Sequence, residues 1–224
     1  MKHTIAFIHA SPASLPPLMQ YYKEAAPDLD IVNLLDDGLL RLFSAGNFSL
    51  AGTRLAAMLA TARDVYAAEL AMLTCSAVPR PMLDSLRAGA RIPVLKIDYP
   101  MARHAVQTGS RIGVAVTFPP TAELTSKLLL EAAGEQGRSV ELTLEVAPKA
   151  YDALLAGDAA THDKILLDAV AALARQNVDV IVLAQVSMAR ILERARASVS
   201  VPVLTSLDTS LAAVRGLMSG PPAH

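Results

Sequence analysis

The chain has one cysteine, Cys75, and no tryptophan. A single thiol excludes an intramolecular disulfide and any zinc site built from several thiolates. It is compatible with a reducing cytoplasm, which is the expected location. Aromatic residues make up only 4% of the chain, too few for a platform that stacks bases or sugars. Charge of neither sign dominates: 20 Lys and Arg face 21 Asp and Glu, a formal net charge of −1. Without a basic block, nucleic acid is not an expected partner.

Other absences narrow the chemistry. His3, His9, His104, His162 and His224 show no metal-ligand spacing. Asp36-Asp37-Gly38 matches neither a calcium loop nor a paired-carboxylate site and reads as a solvated turn. Ala10-Ser11-Pro12-Ala13 stands where a nucleotide-binding fold carries a Gly-rich loop, so no nucleotide cofactor is expected. No apolar run approaches the ~18 residues of a membrane-spanning helix. The apolar stretch at the N-terminus is short and interrupted by His9. It reads as a first core strand rather than a signal peptide, because its pattern returns in mid-chain.

What the chain does have is apolar mass and an internal duplication. Hydrophobic residues make up 53% of the 224 and charged residues 18%, which excludes disorder and suffices for one large domain or two lobes. Ile5–Pro12 aligns with Ile112–Pro119, and Glu24-Ala25-Ala26 with Glu131-Ala132-Ala133, both at an offset of 107. Leu73 and Cys75 meet Leu183 and Gln185 at an offset of 110. Pro93-Val94-Leu95 meets Pro202-Val203-Leu204 at 109, and Ala105-Val106 meets Ala213-Val214 at 108. A period near 108 is too long for a solenoid repeat and points to two domain-sized halves.

Short apolar runs read as strands: Thr4–Ile8, Asp30–Leu34, Leu70–Leu73 and Val94–Ile97, then Arg111–Val116, Val140–Leu144, Val178–Leu183 and Val201–Thr205. Helical stretches lie between them: Ser14–Ala25, Leu50–Ala67, Pro79–Arg87, Met101–Val106, Thr121–Ala133, Tyr151–Leu155, His162–Arg175, Met188–Ala197 and Thr209–Met218. The strands lack apolar/polar alternation, as strands covered on both faces do. Alternating strands and helices predict an α/β fold of parallel sheets with right-handed crossovers. Ligands of such folds sit beyond the carboxyl ends of the strands. The polar residues collect there: His9 and Ser11, Thr74-Cys75-Ser76, Thr117 and Thr121, Gln185 and Ser187, and Thr205, Ser206, Asp208 and Thr209.

The duplication, the Cys75-Ser76 pair and the two Pro-Val-Leu strands resemble the aspartate/glutamate/hydantoin racemase superfamily, over nearly the whole chain. The resemblance implies two similar lobes of flavodoxin-like, parallel-sheet build related by a pseudo-twofold, with the active site in the cleft between them. It implies chemistry without metal or cofactor: two thiols, one from each lobe, face opposite sides of the substrate's α-carbon, one removing a proton and the other returning it. A homodimer is a further implication. The lobes would be residues 1–98 with about 206–224, and about 99–205. By position, Cys75 matches the first-half cysteine and Ser76 the small hydroxyl residue after it. His9-Ala10-Ser11 and Thr117 occupy the anion-binding turns. Gln185 replaces the second cysteine, and Val186 stands where Thr or Ser is common.

That departure opens three alternatives. The first is proton transfer at the carbon next to a carboxylate of a small acid by one thiol, as an isomerase or a decarboxylase. Arylmalonate decarboxylase, which shares the fold, works with a single thiol in the second half, and the present chain mirrors it. A lone thiol would then serve one face only. The second is a protein that binds a small carboxylate without turning it over. The third is nucleophilic cis–trans isomerisation, as in maleate isomerase. An unperturbed thiol with a pKa near 8.5 is about 3% thiolate at pH 7, and lowering it to 7 takes about 2 kcal/mol. Ser11, Ser76, Thr117 and Thr121 are the candidate oxyanion donors; Ser and Thr at strand ends also read as helix caps. His9 could orient a substrate carboxylate or act as a cap; Asp208 reads as a cap; His104 and His162 read as structural or exposed. Gln185 cannot serve as acid or base but could hydrogen-bond a substrate, and Ser187 is a poor proton donor without a partner.

Overall fold

The computed structural model describes residues 2–117 and 119–219, with Ala13 and Pro120 described for the backbone alone. His224 lies outside the described residues. Strand β1 (His3–His9) is enclosed from its third residue on: Ile5, Ala6, Phe7, Ile8 and His9 are each at most 1% exposed. Helices on both faces remove both sets of alternating side chains from water, which is why the run is apolar throughout. Burying one such Ile or Phe stabilises by roughly 1.5–3 kcal/mol. β2 (Leu29–Leu35), at the sheet edge, is only partly buried. β3 (Leu70–Leu73) and β4 (Val94–Lys96) complete a four-stranded parallel sheet in the order β2-β1-β3-β4.

The second sheet repeats the first. β5 (Arg111–Val116), β6 (Glu141–Val146), β7 (Val180–Leu183) and β8 (Val203–Thr205) are ordered β6-β5-β7-β8, all parallel. The registers match as well: Ile8 pairs Leu73 in one sheet, and Ala115 pairs Leu183 in the other. Both ladders extend one residue further through the same bonds, Thr74 N–H to the Ile8 carbonyl at 3.0 Å and Ala184 N–H to the Ala115 carbonyl at 3.1 Å. The fold is therefore α/β with two four-stranded parallel sheets.

The chain divides into two compact units, Met1–Ile97 with Leu211–His224, and Asp98–Ser210. Unit 1 carries α1 (Leu15–Ala25), α2 (Leu39–Ser44), α3 (Phe48–Asp64) and α4 (Arg80–Ala90). Unit 2 carries α5 (Tyr99–Thr108), α6 (Pro119–Glu135), α7 (Pro148–Leu155), α8 (Ala159–Ala174) and α9 (Leu192–Ser198). α10 (Ser206–Ser219) begins in unit 2 and continues in unit 1, where Arg215 forms an ion pair with Asp28.

Several elements differ from the sequence expectation. α2 was not expected: at six residues it is too short to show helical periodicity. The stretch expected as one helix, Met188–Ala197, starts as a 3-10 segment at Val186–Ile191 and becomes α-helical at Leu192. Asp36-Asp37-Gly38 is a turn, but Asp36 is not solvated. Its carboxylate accepts the Gly38 N–H at 3.1 Å and pairs with Arg54. His162 is fully buried within α8, its Nδ1 2.9 Å from Asp163.

Candidate active site

β3 delivers the thiol. Four buried residues, Ala71 to Thr74, are followed by half-buried Cys75, Ser76 and Ala77 and then buried Val78. Unit 2 shows the same burial sequence: Ile181 to Ala184 are buried, Gln185, Val186 and Ser187 half-buried, and Met188 buried. Cys75 and Gln185 are thus the first side chains to reach the surface of equivalent strand ends. Cys75 packs against the apolar cluster of Ile8, Ala10, Leu73 and Val78. α4 starts only at Arg80, with Pro79 at its cap, so Ser76–Pro79 separate the thiol from the helix.

The other side of the β3 end is polar. His9, closing β1, is fully buried. Its Nδ1 lies 2.8 Å from Ser14 Oγ and 3.1 Å from Thr74 Oγ1, and its Nε2 lies 3.0 Å from Asn33 Oδ1. Ser14 Oγ also reaches the Ser11 carbonyl at 3.0 Å, and Thr74 Oγ1 the Ile8 carbonyl at 3.2 Å. Burial pushes the His9 imidazole below its ordinary pKa, with the Asn33 hydrogen bond acting in the opposite direction. His9 is accordingly the hub of a network beneath the Thr74-Cys75 turn, with both ring nitrogens engaged within unit 1. Ser11 and Ser76 are half-buried beside this network and the thiol respectively.

In unit 2 the equivalent turn is closed by its own side chain. Gln185 Oε1 accepts the Thr117 N–H at 2.8 Å, and Gln185 Nε2 donates to Thr117 Oγ1 at 2.8 Å. Thr117 is 1% exposed. Its N–H, expected as an anion donor, is used by the Gln185 carboxamide. Thr121 is buried in the first turn of α6, and Ser187 is half-buried in the 3-10 segment that follows Gln185. Thr205 donates to Asp208 Oδ1 at 2.7 Å, and Arg196 binds the other carboxylate oxygen, so Asp208 ties β8 to α10 and α9.

The sequence profile of Asp/Glu/hydantoin racemases matches residues 4–214. The chain belongs to this racemase family. Solved structures give the same fold. An allantoin racemase from Klebsiella pneumoniae superposes with a TM-score of 0.72 at 18% identity, covering 97% of this chain and 88% of that one. An aspartate racemase homologue from Pyrococcus horikoshii superposes at 0.72 and 16% identity, with 98% and 100% covered. Arylmalonate decarboxylase superposes at 0.61 and 16% identity, with 97% and 93% covered. Among curated proteins none matches the chain.

Within this racemase-family fold, three residues near the thiol turn were missed or underweighted in the sequence. Asn33 had no local signal, being an ordinary polar residue on an edge strand, and Ser14 carried only its alignment with Thr121 at the offset of 107. Lys96 did carry one. A lysine inside the apolar run Val94-Leu95-Lys96-Ile97 has to be buried, and it is 6% exposed at the end of β4. Among the described residues no cluster of three His, Cys, Asp or Glu side chains is placed to hold a metal. A groove of about 660 Å³ between α3 and α4, lined by Phe48, Gly52, Ala56, Met82 and Gly89, includes none of the residues at the β3 end.

Proposed function

We propose that this protein is a cofactor-independent isomerase or decarboxylase that moves a proton at the carbon next to the carboxylate of a small acid, with Cys75 as its one thiol acid/base. The observation that supports this most is the contrast at the equivalent strand ends. Unit 1 offers a half-buried thiol, whereas unit 2 offers a carboxamide with both ends tied to Thr117. One turn can exchange a proton; the other cannot.

In the isomerase direction, a Cys75 thiolate takes the α-proton, and the C–H electron pair moves into the carboxylate to give an enediolate. In the decarboxylase direction, the pair left behind by departing carbon dioxide takes the proton of the Cys75 thiol, and water returns a proton to the thiolate. Either intermediate needs preorganised donors, each worth about 3–4 kcal/mol. The Ser76 hydroxyl and the backbone N–H groups of the Cys75 turn are the donors on this side; Ser11 stands at the neighbouring turn. Because Gln185 has no ionisable proton, Cys75 serves one face of the α-carbon: decarboxylation gives a single enantiomer, and in the isomerase direction proton return by Cys75 gives exchange with retention, while inversion takes its proton from water on the other face.

Incubation with small acids in deuterated water, read by mass spectrometry and chiral chromatography, tests the proposal. Cys75-dependent deuterium in one enantiomer is expected, and Cys75→Ala abolishes it. Full activity in Cys75→Ala refutes the role of the thiol. The Gln185–Thr117 closure also favours a second reading, a protein that binds a small carboxylate without turnover. Saturable binding with neither exchange nor product would establish that one.

A further inference from the structure

We infer that Asp163 is a positioning residue of the candidate site: through Arg190 it fixes the 3-10 segment that follows Gln185, and so keeps the Gln185 carboxamide on Thr117. The inference rests on the proposed function, in which the Gln185 turn is one side of the site. Gln185 stands at the N-cap of the segment Val186–Ile191. Six residues is long for a 3-10 helix, whose poorer hydrogen bonds rarely sustain more than about four. Met188 and Ile191 seat the segment in the apolar core, but apolar contact is not directional. The directional contact is ionic. Arg190 Nε lies 2.8 Å from Asp163 Oδ1 on α8, and Arg194 of α9 binds Oδ2.

Asp163 is itself held in place. Its side chain is 11% exposed, and His162 Nδ1 lies 2.9 Å from Oδ1. A carboxylate only accepts, so Nδ1 carries the proton and donates. His162 Nε2 is buried and has no partner among the described residues. An imidazole with one unanswered nitrogen is a poor filler for a core. What it contributes is the hydrogen bond that sets the Asp163 rotamer. Burial acts to raise the Asp163 pKa, but the His162 hydrogen bond and the Arg190 and Arg194 charges outweigh it and hold the carboxyl below its ordinary value. The carboxylate stays charged at neutral pH and keeps both arginines.

The duplication supplies an internal comparison. α3 and α8 correspond at an offset of 111: Asn47 and Asp158 cap them alike, accepting the Leu50 and Thr161 N–H groups, and buried Leu55 and Leu59 meet buried Leu166 and Val170. His162 and Asp163 then stand at the places of Ala51 and Gly52. At the offset of 110 that relates Cys75 to Gln185, Arg190 meets Arg80 and Arg194 meets Asp84. In unit 1, Arg80 pairs with Asp84 on its own helix, and Gly52 lines the groove between α3 and α4. Charge reversal at the Asp84 position and a carboxylate at the Gly52 position convert a pair within one helix into a tie between elements. The tie from α8 thus belongs to the carboxamide turn, and α3 offers the thiol turn a glycine in its place.

Amide hydrogen exchange, read by nuclear magnetic resonance on the full chain, tests this without any substrate. The reporter is the Thr117 N–H, which donates to Gln185 Oε1; the control is the Ile181 N–H of β7, which donates to the Pro202 carbonyl. Asp163→Asn and Arg190→Gln should each speed Thr117 exchange about tenfold and leave Ile181 within about twofold of the wild type. Unchanged Thr117 exchange in either variant overturns the inference. So does a rise matched by Ile181, which is what a merely structural role gives. The Arg190 side chain is 44% exposed, so Arg190→Gln decides the matter where Asp163→Asn does not fold. Because exchange at Thr117 reads the turn alone, failure here is distinct from failure of the proposed reaction, which Cys75→Ala tests by deuterium incorporation into the acid.

Discussion

Replacing His9 by Leu removes the hub beneath the thiol turn while keeping its size, and the wild-type geometry sets what should follow. Asn33 Nδ2 donates to Met19 Sδ at 3.1 Å, so Asn33 presents Oδ1 to His9, and Nε2 carries the ring proton. Nδ1 then accepts one hydroxyl proton, from Ser14 or Thr74, and the remaining hydroxyl donates to the Ser11 or the Ile8 carbonyl. In His9→Leu both hydroxyls fall back on those carbonyls, whereas Asn33 Oδ1 loses its donor. An unsatisfied acceptor costs about 1–3 kcal/mol, and the two weakened hydroxyl contacts add about 1 kcal/mol. A loss of about 2–4 kcal/mol at pH 7 is expected in urea unfolding.

The pH dependence carries the sharper test. Burial holds the native His9 below the ordinary imidazole value of about 6.5, while the unfolded imidazole titrates near that value. As pH falls below about 6.5, the unfolded chain binds a proton that the native chain does not, so His9 contributes falling stability on acidification, by up to about 1.4 kcal/mol per pH unit. Below the native pKa the loss is complete. His9→Leu lacks this titration, so the gap between variant and wild type should narrow from pH 7 to pH 5. Parallel profiles would refute the argument, as would a nitrogen-15 spectrum of the imidazole showing it charged at pH 6.5 or protonated at Nδ1 alone.

Three further outcomes follow from contacts elsewhere. Gln185→Cys places a thiol at the strand end equivalent to Cys75, so deuterium exchange should change from one enantiomer to both; retained turnover with a single labelled enantiomer contradicts the assignment of faces. Gly109→Ala puts a Cβ 2.2 Å from Asp179 Cβ. Asp179 anchors the start of β5 through the Ser110 and Arg111 N–H groups, so overpacking there should cost about 1–3 kcal/mol, seen as a lower Tm; an unchanged Tm rules it out. The Arg215 guanidinium holds the Asp28 carboxyl down to about 2, so that pair contributes above pH ~3.8 and loses its contribution as pH falls towards 2. Arg215→Ala should therefore lower Tm more at pH 7 than at pH 2, and less in high salt; an equal effect at both pH values sinks this account.

The strand ends were legible in the sequence because burial on both faces leaves a readable trace. Leu70–Leu73 and Arg111–Val116 were located to the residue, and the shared order of apolar runs disclosed two sheets of one topology. α2 left no such trace, being only six residues long. The site was legible by position and not by contact. Counting from the strands put Cys75 and Gln185 at equivalent ends, but nothing in a linear string says that a glutamine 68 residues from Thr117 turns back to fill its hydrogen bonds. The same holds for His9. Its place after β1 suggested a group that meets substrate, yet its environment comes from Asn33 on the edge strand, brought near by the crossover, and from Ser14, five residues on, where the chain turns back before α1. Lys96 runs the other way. A charged residue in an apolar strand is a cost that folding would avoid unless something compensates it. That conflict stands in the string Val94-Leu95-Lys96-Ile97 itself, where a charge interrupts an apolar run at the end of a strand.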